Sequence, residues 1–77
     1  MSAADRFREV TEVEFDAFLA AYPRKLERDV NMTCDPPFVT YNDFTMAPAW
    51  PESVVASYIH DDWDPKAPVR RGFRILK

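Results

Sequence analysis

An α+β domain, with one amphipathic helix packed on a small, mostly antiparallel sheet of three to four strands, is the fold class that three observations in the sequence predict. A capped, periodic apolar stripe runs from Thr11 to Tyr22. Later segments around Phe38–Tyr41, Val54–His60 and Gly72–Leu76 carry the aromatic and aliphatic residues of strands. Clusters of Pro, Asn and Asp separate them as turn-forming punctuation.

The helix has the most explicit start. Thr11 and Glu14 have capping-box spacing, and Val10 stands where it can staple onto Phe15. Phe15, Phe18, Leu19 and Tyr22 then recur at helical spacing and form one apolar stripe. Glu12, Glu14 and Asp16 fall in the opening turns, where the helix dipole favours negative charge, and Arg24 and Lys25 suit the other end. Pro23 disfavours helical geometry at Tyr22, so the helix should stop at about Ala21 or Tyr22.

Before the helix, Arg6–Val10 reads as an edge strand in preference to a frayed lead-in. After it, Leu26 and Val30 fit either a turn of helix or an alternating strand. Residues 31–37 read as a loop because of their polar side chains and the Pro36-Pro37 pair. Phe38–Tyr41 is a strand that ends in the turn chemistry of Asn42-Asp43. Pro48 and Pro51 keep Met46–Glu52 extended or turned. Val54–His60 has apolar residues in both alternating sets, the pattern of an inner strand. Asp61–Pro68 is a loop, and Gly72–Leu76 closes the chain as a strand with Phe73 and Ile75 on one side and Arg74 on the other.

The 77 residues make a single small domain, close to the size at which apolar burial barely exceeds the entropy of ordering the chain. Seven prolines against one glycine narrow the unfolded ensemble, and an aromatic content of 14% supplies large buried surfaces at little rotamer cost. There is no apolar run of membrane-spanning length, and the formal net charge of −3 opposes general attraction to nucleic acid or anionic membrane. Cytoplasm is the expected compartment: a lone cysteine forms no internal disulfide, and Met1–Asp5 lacks the basic-then-apolar pattern of a secretory signal.

The same scarcity limits chemistry. One histidine (His60), one cysteine (Cys34) and one glycine (Gly72) do not assemble a phosphate loop, a zinc site or a nucleophile relay in one copy of the chain. His60-Asp61-Asp62 has metal-ligand residue types, but neighbours on a strand point to opposite faces, so the string reads as a strand-end histidine beside a solvated acidic loop. Asp35 disfavours a Cys34 thiolate, and Ser53 and Ser57 lack a base at any fixed spacing. No cofactor, metal or catalytic residue is expected, and the chain reads as non-enzymatic.

Binding surfaces remain. Asp61, Asp62, Trp63 and Asp64 combine carboxylates that steer a basic partner with an aromatic anchor, although Trp63 packing back on the sheet or on Pro65 is the plainer reading. Trp50 reads as a core plug. Glu9, Glu12, Glu14 and Asp16, joined to the Asp61–Asp64 loop, offer a negative surface of the kind that imitates nucleic acid. Arg70, Arg71, Arg74 and Lys77 around Phe73 form the alternative, a single-strand nucleic-acid binder; against it, Phe73 reads as core and the arginines as a solvated strand edge.

The block from Pro36 to Thr45, the segment Trp50–Ser57 and the string Ala21-Tyr22-Pro23-Arg24 together resemble small uncharacterised proteins encoded in phages and prophages of proteobacteria. That resemblance implies no assigned site. It implies a setting in which a compact acidic domain binds a host protein or complex, such as a nucleic-acid-processing enzyme or a defence assembly, and modulates or inhibits it.

Overall fold

In the computed structural model, which describes residues 6–62 and 69–77 and, at Asp61 and Asp62, the backbone alone, the chain is α+β. Its elements follow in the order β1 (Phe7–Glu9), α1 (Glu12–Ala21), β2 (Glu27–Asn31), β3 (Phe38–Asn42), β4 (Val54–Asp62) and β5 (Val69–Leu76). All five strands form one antiparallel sheet in the order β1-β5-β4-β3-β2, so α1 carries the chain from one sheet edge to the other across a single face. No helix among the described residues is long and apolar enough to cross a membrane.

The sheet holds five strands where three to four were expected. The additional pairing comes from the ambiguous segment after the helix: Glu27–Asn31 pairs along its whole length with β3, with Val30 opposite Val39. Three residues between Leu26 and Val30 carry too little periodicity to reveal this, and tertiary pairing decides it. Residues 7–9 form the expected edge strand, and hydrogen bonds from Val10 N–H to Phe73 C=O (3.0 Å) and from Lys77 N–H to Arg6 C=O (3.0 Å) extend its pairing. Val54–His60 lies in the central strand as expected, but that strand runs on through Asp61 and Asp62, which the sequence assigned to a loop; Asp62 pairs with Val69.

The helix forms as its sequence dictates. Thr11 Oγ1 accepts from Glu14 N–H (3.2 Å) while the Glu14 carboxylate accepts from Thr11 N–H (3.2 Å), so the capping box is complete. The helix ends at Ala21, and Tyr22, held extended before Pro23, turns the chain away. A ten-residue helix is too short to persist alone, so its stability comes from the face it buries.

Phe15 dominates that face. It is fully buried and stands edge-on to Tyr41 and Tyr58 (ring centroids 5.8 and 5.7 Å) and tilted against Phe73 (5.2 Å), one ring from each of β3, β4 and β5. Val39, Ala56 and Ile75 complete the floor, and Val10, Phe18, Leu19 and Tyr22 pack around the margin. Val55, also fully buried, is the additional residue of a bulge where Tyr41 faces Ala56 but Asn42 faces Val54.

Gly72 creates a second bulge. Ser57 faces Arg74 and Ile59 faces Arg71, so Tyr58 alone opposes Gly72 and Phe73. Gly72 has φ +64°, the left-handed conformation that glycine adopts without steric cost. The additional residue resets the alternation of β5 and brings Arg70 onto the helix face with Phe73 and Ile75. Arg70 then lies over the rings of Tyr58 (5.2 Å) and Phe73 (5.4 Å) and bonds Glu12 (2.9 Å) and Asp16 (3.4 Å) on α1.

Two stability outcomes follow. Phe15→Ala removes the ring about which the two layers close and should cost about 3–5 kcal/mol in chemical denaturation. Gly72→Ala puts a Cβ at 3.0 Å from Ile59 Cδ1 in a left-handed backbone, and the same measurement should show a loss of about 1–2 kcal/mol.

Candidate functional site

With α1 covering one face, the opposite face of the sheet holds a groove of about 490 Å³. Phe7 from β1, Phe38 from β3, and Val54 and Ile59 from β4 supply its apolar floor. Pro36 and Pro51, each preceded by a cis peptide bond, lie at its sides with Cys34, Asp35 and Trp50. Gly72 contributes no side chain, which leaves the floor open beside Ile59.

A polar row crosses this apolar floor. Thr40 faces Ser57 and Ser57 faces Arg74 across three adjacent strands, all three side chains lining the groove, and Glu9 follows opposite Arg74 on β1. Thr40 Oγ1 is engaged as acceptor of the Asn42 amide (3.1 Å), whose oxygen accepts from Ser53 Oγ (2.9 Å). Within the row Ser57 and Arg74 supply donors, with the Arg74 guanidinium as a permanent positive charge, and the Glu9 carboxylate at its β1 end is acceptor-only.

The connection between β3 and β4 forms a second feature beside the groove. Three large apolar side chains stand in solvent there: Phe44 (47% exposed), Met46 (43%) and Trp50 (54%). The backbone under them is tied down. Asp43 has no exposed side-chain surface, and its Oδ1 accepts from Thr45 N–H (2.9 Å) and Thr45 Oγ1 (2.5 Å). Its Oδ2 accepts from the Tyr22 hydroxyl and from Arg24 Nε (2.7 Å), which joins the helix exit to the loop. Asp43 N–H donates to Ser53 C=O (2.8 Å) across the neck of the loop, and the Arg6 guanidinium holds Glu52 C=O (2.8 Å).

Thr45, Tyr22 and Arg24 all favour the charged form of Asp43 and hold its carboxyl well below the usual carboxylate range. Burial, followed by the Asp43 hydrogen bond, pushes the Tyr22 hydroxyl above its ordinary value.

The residues singled out in the sequence fall in several places. Trp50, read as a core plug, is exposed at the groove side: Phe15 fills the space between helix and sheet, and the turn that carries Trp50 lies on the other face. Phe73 is core, as expected. The arginines do not line a solvated edge, because β5 is an interior strand between β1 and β4. Arg70 faces the helix while Arg71 and Arg74 are exposed and paired by register with Ile59 and Ser57 of the groove face, and Lys77 follows the end of β5. Asp61 and Asp62 extend β4 in backbone, while Trp63 and Asp64 lie outside the described residues.

Of the proposed negative surface, Glu12 and Asp16 are engaged by Arg70, and Glu14 by Thr11 and Arg8 (3.9 Å). His60 is buried and lies 5.7 Å from the Tyr58 ring. Among the described residues no group of three or more His, Cys, Asp or Glu side chains is placed to hold a metal ion.

Two features of the site had no counterpart in the sequence reading. Asp43 was visible only as a turn former, and Phe44 and Met46 carried no periodicity that would mark them as exposed. The available signal was large apolar residues within a stretch otherwise rich in turn formers. Comparison with known proteins finds no matching family model, no matching curated protein and no matching solved structure.

The Asp43 latch predicts a defined acid response. A carboxyl with a lowered folded-state pKa stabilises the fold fully above its unfolded value of about 3.9, and that stabilisation is lost as the pH falls below it towards the folded value. Denaturation followed from pH 7 down to pH 2 should show Asp43→Asn clearly less stable than wild type at neutral pH, with the gap shrinking below about pH 4.

Proposed function

We propose that this chain is a non-enzymatic protein-binding module that works by occupying the surface of another macromolecule. The observation that carries this reading is the loop between β3 and β4, where Phe44, Met46 and Trp50 stand exposed on a backbone anchored by buried Asp43. Large exposed apolar side chains are a cost to a protein that binds nothing, and aromatic anchors are favoured at interface hot spots. Anchoring the loop in advance lowers the ordering entropy lost on association. The acidic Asp61–Asp64 segment, with Trp63, is proposed as a second contact that steers a basic partner.

The phage-like resemblance supplies the setting: a host protein or complex, in a cytoplasm where the exposed Cys34 stays reduced. Modulation of a nucleic-acid-processing or defence assembly is the role proposed for such contact. Nucleic acid itself is the alternative partner. It is favoured by one observation, the exposed Arg71 and Arg74 on the face that also carries Phe38 and Trp50, although Arg70 is turned away towards Glu12 and Asp16.

Affinity capture from bacterial lysate tests the reading when variants are compared. Proteins retained by wild type and by the control Val13→Ser, which alters an exposed apolar residue on the helix, should be lost with Phe44→Ala and Trp50→Ala. Trp63→Ala and paired Asp61→Ala/Asp62→Ala should weaken capture if the acidic segment contributes. A retained set that is the same for all variants would refute the loop as the contact, and a set that disappears on nuclease treatment would favour the nucleic-acid alternative.

A further inference from the structure

Beyond protein docking, we propose that the groove on the sheet face opposite α1 is a binding site for a small ligand with an apolar body and one carboxylate, the carboxylate seated on Ser57 and Arg74. The groove's volume, about 490 Å³, falls within the roughly 300–1,000 Å³ typical of small-molecule sites. Its composition is also of that kind: apolar walls with a few polar groups converging at one place.

The convergence is set by register. Ser57 and Arg74 are directly opposed on neighbouring strands and both line the groove, so their side chains project side by side, with Cβ atoms about 5 Å apart. Thr40, next in the row, has its oxygen committed to Asn42. Ser57 and Arg74 have no such commitment within the described residues: Glu9 lies opposite Arg74 by register without an ion pair to it, whereas Arg70 on the same strand holds two carboxylates. A hydroxyl donor beside a guanidinium matches the two oxygens of a carboxylate, and both bonds would be charge-assisted. Phe7, Phe38 and Trp50 flank the pair and would cover an aliphatic or aryl body.

The charge requirement separates this ligand class from a merely greasy one. Decanoate and decanol share a tail and differ only at the head, so titration of each into the full chain by calorimetry is the direct test. Trp50 emission in a Trp63→Phe background provides a second readout. Decanoate should bind saturably and shift the Trp50 emission, with decanol at least about tenfold weaker, as expected for loss of a hydrogen-bonded charge pair. Arg74→Gln should erase that preference without changing the thermal midpoint, and Ser57→Ala should reduce it.

Absence of saturable decanoate binding, equal binding of the two probes, or an unchanged preference in Arg74→Gln would overturn the proposal. Phe44→Ala separates it from the docking reading. That variant should leave decanoate affinity within about twofold of wild type, and a loss comparable to that of Arg74→Gln would place the ligand on the loop and refute the groove.

Discussion

The insertion of one ring, Phe15, between three others is the interaction on which the rest of the structure depends. Among the described residues of α1 it is the sole fully buried side chain, and it touches an aromatic ring on each of the three interior strands. Burial of such a side chain is worth about 3–5 kcal/mol against truncation, a large share of the stability available to a chain of this length. Partly exposed ion pairs of the kind made by Arg70 contribute at most about 1 kcal/mol each. The aromatic contact therefore holds the layers together, and the charged contacts decide how they sit.

Those charged contacts lie at opposite ends of the helix. Near its start, Arg70 reaches up from β5 to Glu12 and Asp16; at its exit, Tyr22 and Arg24 bind Asp43 of the β3–β4 connection. The helix is thus fixed in the middle by packing and at both ends by polar bonds. The second of these ties also restrains the loop that exposes Phe44, Met46 and Trp50, so the same residues that orient the helix hold the proposed docking surface in shape. Because one helix can cover only one face, the groove on the other face is a direct result of the architecture.

The helix was legible from sequence almost to the residue, because a capping box, a stripe at helical spacing and a terminating proline are local signals that agree. The three interior strands were legible for the same reason. Glu27–Asn31 was not, since three charged residues and one valine do not distinguish strand from helix until β3 is present to pair with them. The site was less legible still. Thr40, Ser57 and Arg74 lie far apart in the chain and meet only through strand register, and the exposure of Trp50 depends on which residue fills the core. In sequence, Trp50 and Phe15 are both simply large aromatics; burial of the second and exposure of the first is decided by tertiary packing.

The bulge at Gly72 also bears on how distant relatives of this strand align. It acts as a spacer of one residue, so a homologous strand lacking that residue altogether would preserve the allocation of side chains to the two faces. A strand of equal length with regular pairing would interchange the positions of Arg70 and Arg71, presenting the cation that now faces the helix to the groove side. A gap placed at position 72 is thus the structurally correct one when aligning shorter versions of this strand, even where no other identity survives.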